Sequence, residues 1–208
     1  MKGILITNRG LEDVSAKEIN DLLDTEVIIK KGLVEFKIND YSDICKLAYK
    51  SQSARRVLLL LKKFSIESLE DLKKIKTKNL DKWLSKKSFN TLCERRGTHT
   101  FNSLDVKKRV CQILNYKVDY KNPDVLLYLL INQKEAYFGI DFSGFDLGKR
   151  YYNIFIHRES PKANITYAIV SYADIKPSEK ILDPFCKSGL VMIEASNKLL
   201  NQSVHKFK

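Results

Sequence analysis

An α+β fold in more than one domain is predicted, and three observations predict it. Short apolar runs rich in β-branched residues alternate with stretches whose apolar residues recur at helical spacing. Glycine, asparagine and charged turn signals separate them. The 208 residues carry 44% apolar residues, with 10 Phe and 10 Tyr, enough to fill one large or two small cores and too many for a disordered chain.

Taken in order, Lys2 to Thr7 reads as an apolar strand, and Arg9-Gly10 as a turn. Leu11, Val14, Ile19, Leu22 and Leu23 mark an amphipathic helix. Glu26 to Lys30 and Leu33 to Ile38 are strands around the two-residue turn Lys31-Gly32. Asp40 or Ser42 can cap a second helix carrying Ile44, Leu47 and Ala48, and Arg56 to Leu61 is a fourth strand. The succession strand, helix, strand, strand, helix, strand is the ferredoxin-like arrangement, predicted over residues 1–61. No chemistry is assigned to residues 1–54. Phe64 to Leu84 is predicted helical and lysine-rich, with Ile66, Leu69, Leu72 and Ile75 at helical spacing, Trp83 in the core, and lysines including Lys78 on a solvated face.

Charge is partitioned along the chain. Residues 1–54 hold 8 Lys/Arg against 9 Asp/Glu, residues 55–123 hold 18 against 7, and residues 124–208 hold 11 against 9. Nearly all of the net +12 therefore lies in the middle third, and a polyanion is the natural partner of such a surface. A lysine-rich solubilising surface accounts for the charge alone equally well. Cys45, Cys93, Cys111 and Cys186 form no CxxC pair, which argues against a zinc ribbon or disulfide framework and favours a reducing compartment. No metal ligand set is predicted. The longest apolar run is far below the ~20 residues of a membrane span and no signal sequence is recognised, so the chain is expected in the cytoplasm.

The middle third has the most organised pattern. Phe89 to Glu94 can run extended, Arg95-Arg96-Gly97 breaks the strand, and Ser103 is a candidate N-cap for a helix with Val106, Val110, Ile113 and Leu114. Lys107, Lys108 and Arg109 ride beside that apolar stripe and are expected to form one basic patch with Arg95 and Arg96. Val125 to Asn132 is apolar on both faces and suits a central strand; Asn132 to Glu135 turns, and Ala136 to Asp141 returns. Residues 93–103 (Cys-Glu-Arg-Arg-Gly-Thr-His-Thr-Phe-Asn-Ser), Asn122-Pro123-Asp124 and residues 136–141 (Ala-Tyr-Phe-Gly-Ile-Asp), in this order and spacing, resemble the THUMP domain, an RNA-binding module of tRNA- and rRNA-modifying enzymes. The resemblance implies a THUMP domain at 62–145 and an RNA contact set that also includes Thr98 and His99. Gly10 to Val14, Gly32 to Phe36 and Ser53 to Leu60 resemble the ferredoxin-like domain that precedes THUMP in the guanine-N2 RNA methyltransferases.

A linker and helix are predicted for 146–179. Lys149-Arg150-Tyr151-Tyr152 mixes cations with aromatics, which suits phosphate contacts with stacking, or a domain junction whose tyrosines pack between domains. Pro161 to Ala173 is helical and Lys176-Pro177 breaks it. Lys180 to Asp183 is read as a strand, 183–189 as a loop and Leu190 to Leu200 as a helix, the opening of a doubly wound nucleotide-binding sheet. Residues 181–195 resemble the first S-adenosylmethionine-binding motif of those methyltransferases, which implies cofactor contacts from Asp183, Pro184, Phe185, Cys186, Ser188 and Gly189. Lys187 stands where the family has glycine and Leu190 where it usually has threonine. Residues 180–208 are thus expected to be the truncated start of a Rossmann-like methyltransferase domain, without its second strand.

The resemblance implies the RNA-binding part of an S-adenosylmethionine-dependent tRNA (guanine-N2) methyltransferase, with rRNA as the alternative substrate. It also implies a truncated catalytic domain, no catalytic residue in this sequence, and no cofactor binding by it alone. A non-catalytic RNA-binding module acting with a separate chain that completes the domain is the second reading. A thiouridine synthetase or pseudouridine synthase is a third, which Asp183 to Cys186 argues against. Cys186, His99 and His157 lack a paired acid or base and are not assigned catalysis.

Overall fold

A computed structural model describes residues 1–76, 80–155 and 157–205. Lys78 and the final residues 206–208 of the predicted C-terminal segment lie outside the described residues. In chain order the elements are β1 (Lys2–Ile6), α1 (Glu12–Leu23), β2 (Val27–Lys30), β3 (Leu33–Lys37), α2 (Tyr41–Lys50), β4 (Arg56–Ser65), a 3-10 helix (Leu69–Ile75), α3 (Asp81–Leu84), β5 (Phe89–Arg96), α4 (Ser103–Leu114), β6 (Val125–Asn132), β7 (Glu135–Asp141), α5 (Ala163–Tyr172) and α6 (Leu190–Leu199). They form two compact units, residues 1–57 with 145–208, and residues 58–144.

In the first unit β3 pairs antiparallel with β1 on one side and β2 on the other. The Lys31-Gly32 turn forms as the sequence predicts, with Gly32 at φ 77°. Asp40 caps α2, accepting from the Ser42 amide at 2.7 Å. Ile4, Leu5, Ile6, Ile19, Leu33, Val34, Ile44 and Leu47 are fully buried. On α5, Tyr167 and Ala168 pack on Val14 of α1, with Leu11 alongside. The Tyr172 hydroxyl donates to the Asp13 carboxylate at 2.8 Å.

Residues 51–53 are the polar junction of this unit. Glu18 of α1 accepts from Ser51 Oγ at 2.6 Å, Gln52 N at 2.7 Å and Ser53 N at 3.1 Å. Gln52 Nε2 donates to Glu194 Oε2 of α6 at 2.8 Å. Arg150 Nε donates to Glu194 Oε1 at 3.0 Å, Nη2 to the Gln52 carbonyl at 2.6 Å, and Nη1 to the Leu147 carbonyl. The Tyr152 hydroxyl closes on Glu194. Both side chains of the Arg150–Glu194 pair have 0% exposure. Burial pulls the Arg150 pKa down, but the Glu194 carboxylate outweighs it and the net direction is up. Burial, then the Glu194 charge, raises the Tyr152 phenol. Ser203 Oγ donates to the Tyr49 carbonyl at 2.6 Å and His205 Nε2 to the Ser51 carbonyl at 3.2 Å, so the described end of the chain returns to the same junction.

In the second unit β4 and β7 pair antiparallel, as do β7 and β6, while β6 and β5 run parallel. A parallel pair needs a crossover, and α4 lies in the β5–β6 connection. β6 is central and buried over most of its length on both faces, as its continuous apolar run predicts. At Gly139 a Cβ would lie 2.3 Å from the Leu59 carbonyl oxygen, so only glycine lets β7 approach β4 here. Asp124 accepts from the amide and hydroxyl of Ser88, both at 2.7 Å, and fixes the start of β5 beside β6.

Three local expectations are corrected. The single helix expected over 64–84 is not seen among the described residues: β4 continues to Ser65, which pairs with Glu135, Leu69, Leu72 and Ile75 lie in a 3-10 helix, and Trp83 and Leu84 in the one-turn α3. Strand pairing there overrides the helical period. The N-cap of α4 is Asn102, not Ser103; its side chain accepts from Leu104 N at 2.8 Å and Asp105 N at 3.0 Å, and Asp105 returns a bond to the Asn102 amide. Lys180 to Asp183 is not a strand, because a strand exists through its neighbour's ladder and none among the described residues pairs with it. Trp83 is half-buried, its ring edge-on to Phe142 with centroids 5.9 Å apart.

Arg150→Ala leaves Glu194 buried and unpaired, and is expected to destabilise the first unit by about 3–5 kcal/mol in urea unfolding. The double change Arg150→Met with Glu194→Leu is expected to cost less than Arg150→Ala alone. A loss below about 1 kcal/mol for Arg150→Ala would contradict the buried-pair account.

Candidate nucleic-acid interface and cofactor loop

The five-residue basic patch expected from sequence divides. β5 runs through Arg96 before Gly97, at φ 114°, ends it, so Arg95 and Arg96 lie on opposite faces of the strand. Arg95 turns toward α4: its Nε donates to Ser103 Oγ at 3.4 Å and its guanidinium lies 5.9 Å from the Phe101 ring centroid. Arg96 turns the other way, donating to Glu94 Oε1 at 2.8 Å, while the Tyr128 hydroxyl donates to Glu94 Oε2 at 2.7 Å. Arg109 donates to Glu70 Oε1 at 2.7 Å and so ties α4 to the 3-10 helix. Lys107 is half-buried and Lys108 exposed. Among the described residues neither has an ion-pair partner, so both ammonium groups are open to an anion.

Thr98 is exposed at the tip of the 97–102 loop. His99 Nε2 donates to the Gln133 carbonyl at 2.8 Å, which sets its tautomer, and its ring lies tilted 5.3 Å from Phe101. Phe101 is buried, and it carries Arg95 and His99 at its borders. Arg95, Lys107 and Lys108 thus lie on β5 and α4, near Thr98 and His99, while the exposed lysines Lys62, Lys76, Lys86, Lys87, Lys117 and Lys121 lie on other segments of the unit. In the first unit Lys149 is exposed, whereas Arg150 is buried in its pair with Glu194 and offers nothing to a phosphate. Tyr152 is half-buried with its hydroxyl on Glu194, whereas Tyr151 is exposed. Spacing gave no signal for Glu18, Gln52 and Glu194, which lie far from Arg150 in sequence.

At residues 183–189, Asp183 Oδ1 accepts from the Phe185 amide at 3.1 Å, and Gly189 N donates to the Cys186 carbonyl at 2.7 Å before α6 begins. Ser188 Oγ lies 2.8 Å from Ser160 Oγ. Lys187 is left-handed at φ 47°, the conformation that a glycine would adopt without strain, and its ammonium pairs with Glu159 at 2.6 Å. Phe185 and Leu182 are exposed. The concavity at this loop holds about 180 Å³. Small-molecule pockets run from about 300 Å³ upward. The Phe185 and Gly189 amides are already bonded within the loop, and these residues by themselves do not fit the whole S-adenosylmethionine molecule. Among the described residues no His, Cys, Asp and Glu side chains cluster to hold a metal, and no helix is long and apolar enough to cross a membrane.

A family model described as the THUMP domain matches residues 67–141, and one described as an RMKL-like methyltransferase domain matches residues 150–208. A tRNA (guanine(6)-N2)-methyltransferase of Archaeoglobus fulgidus is 30% identical over 206 residues, covering 92% of this chain and 52% of its own length. A ribosomal RNA large subunit methyltransferase K/L of Buchnera aphidicola subsp. Schizaphis graminum is 29% identical, covering 91% of this chain and 29% of its own. The crystal structure of TrmN from Thermus thermophilus superposes with a TM-score of 0.71 at 25% identity, over 96% of this chain and 62% of that one. The chain spans about half the length of the first of these relatives.

Burial pushes the Cys93 thiol up to about 11, against smaller opposing effects of Ser103 and Arg95, whereas Cys45 and Cys186 are exposed. At pH 8, alkylation of Cys93 is expected to run at least about tenfold slower than that of Cys45 and Cys186, as read by mass spectrometry. Equal rates would contradict the packing of β5 against α4.

Proposed function

We infer the function of this chain from the family it belongs to, the THUMP-domain methyltransferases, and from where its accessible charge lies. The reading is that these 208 residues are the RNA-binding part of an S-adenosylmethionine-dependent tRNA (guanine-N2) methyltransferase. One observation carries it: Arg95 on β5 and the unpaired Lys107 and Lys108 on α4 lie inside the residues that match the THUMP domain. Phosphate oxygens recognise these cations through charge, and the exposed Thr98 hydroxyl adds a neutral donor. Arg96 and Arg109 serve chiefly to hold β5 and α4 in shape through Glu94 and Glu70. Lys149 is a further phosphate contact.

Residues 1–61 are read as a ferredoxin-like domain, supported by the order of β1 to β4 with α1 and α2, residues 62–145 as THUMP, 146–179 as linker and helix, and 180–208 as the start of the methyltransferase domain. The exposure of Ile154, Phe155, Leu182 and Phe185 supports a methyltransferase domain completed by strands outside these residues, in the same or a separate chain. Cofactor and target base would then meet in that completed domain, and this part grips the RNA. Ribosomal RNA is the second substrate reading, favoured by the K/L relative.

The test is tRNA binding by filter retention at rising salt. Affinity is expected to fall by at least about tenfold between 50 and 200 mM salt, and Arg95→Ala with Lys108→Ala to reduce both affinity and the salt slope. Salt-independent binding, or wild-type affinity in the double variant, would overturn the reading. In a calorimetric titration with S-adenosylmethionine, the 208 residues alone are expected to bind too weakly to detect at micromolar concentration, in keeping with the 180 Å³ concavity. Micromolar binding would show that the loop is a complete site.

A further inference from the structure

A cleft inside the first unit lies between α1, the end of α5 and α6, and holds about 420 Å³. That volume is in the range of small-molecule sites, and no residue of the cofactor loop lines it. Buried Tyr167 lines it, and the Lys198 ammonium lies 5.9 Å from that ring's centroid. The buried Ser171 hydroxyl, beside the Tyr167 phenol, lines the same cleft and completes no hydrogen bond. Four carboxylates border the cleft, and three of them are occupied. Asp13 accepts from the Tyr172 hydroxyl at 2.8 Å, and Asp174 pairs with Lys176 at 2.5 Å. Glu18 takes the donors of Ser51, Gln52 and Ser53.

Among the described residues, the charged groups of the cleft left without an ion-pair partner are the ammonium groups of Lys17 and Lys198 and the carboxylate of Asp21. Lys17 and Asp21 stand one turn apart on α1 and do not pair; lysine before aspartate is the weaker order on a helix. Burial, and then the charge of Lys17, lower the Lys198 pKa; Asp174 and Asp21 oppose the fall and Lys176 adds to it. The Lys198 ammonium is thus partly desolvated with no anion in contact. An anion between Lys17 and Lys198 relieves their repulsion, and the Ser171 hydroxyl supplies a neutral donor. A bare anion would also meet the field of the bordering carboxylates, which a ligand with its own ammonium group answers by pairing with Asp21. Two open ammonium groups and one open carboxylate complement a molecule with two carboxylates and one amine. We propose that this cleft binds a small amino-dicarboxylate, the acidic amino acids being the simplest members, with its carboxylates on Lys17 and Lys198 and its ammonium on Asp21.

The test is calorimetric titration of the 208-residue chain at low salt with L-glutamate, with glutarate, which lacks the amine, and with putrescine, which lacks the carboxylates. L-glutamate is expected to bind with a Kd below about 1 mM, a modest affinity for a ligand of this size. Glutarate is expected to bind at least about tenfold more weakly, the worth of one charge-assisted hydrogen bond, and Asp21→Asn to bind the two alike. Lys17→Gln and Lys198→Gln are each expected to weaken L-glutamate at least about tenfold. Lys17 and Asp21 are exposed, so those variants keep the fold, and an unchanged far-UV spectrum checks all three. As a second readout, L-glutamate is expected to slow acetylation of Lys198 by N-hydroxysuccinimidyl acetate, read by mass spectrometry, and to leave the exposed Lys2 unaffected. No L-glutamate binding below that Kd, tighter binding of putrescine than of L-glutamate, or an affinity unchanged by Lys198→Gln would each overturn the proposal.

Discussion

The arrangement of the first unit depends on a buried ion pair. Arg150 and Glu194 are both removed from water, and two such ions are tolerable only because their remaining donors and acceptors are met. The partners are specific: Gln52 gives its carbonyl to Arg150 and its amide group to Glu194, and Tyr152 adds a hydroxyl. Gln52 also gives its backbone amide to Glu18. Through one residue, then, α1, the 51–53 turn, the segment after Leu147 and α6 are held in a single hydrogen-bonded system. The methyltransferase-matched stretch is anchored to the amino-terminal fold by polar chemistry, with apolar packing between α1 and α5 beside it. Such networks favour one geometry because any shift leaves a charge unmet.

This constraint separates two uses of basic residues. Arg150 and Arg109 spend their charge inside the protein, on Glu194 and Glu70. Arg96 does the same with Glu94. What is left for a polyanion is Arg95, Lys107 and Lys108 on β5 and α4, together with exposed lysines elsewhere in the unit such as Lys62, Lys86, Lys87, Lys117 and Lys121.

Much of the fold was legible in the sequence. The continuous apolar run of β6, the Lys31-Gly32 turn and the apolar stripes of α1 and α4 each have a local cause, and each appears where that cause puts it. Misread elements have non-local causes. β4 runs on to Ser65 because β7 offers it a partner through Glu135, and no spacing within 56–84 records that. Lys180 to Asp183 has strand composition without a ladder. The capping residue of α4 was off by one because Asn102 and Ser103 are both good caps, and the reciprocal bond with Asp105 decides between them. The site was less legible than the fold. Adjacent arginines looked like one patch, yet a strand alternates its faces and sends them apart. Arg150 looked like a phosphate ligand beside two tyrosines, and its true partner stands 44 residues away.

The central claim is that RNA is held at the β5–α4 edge and not along the 149–152 segment as a whole. Ultraviolet cross-linking of the 208-residue chain to tRNA, with the linked peptides read by mass spectrometry, tests it directly. The account predicts links concentrated in residues 95–108, a minor link at Lys149, and none at Arg150 or Glu194. Links concentrated in residues 150–205, with 95–108 unmarked, would contradict it.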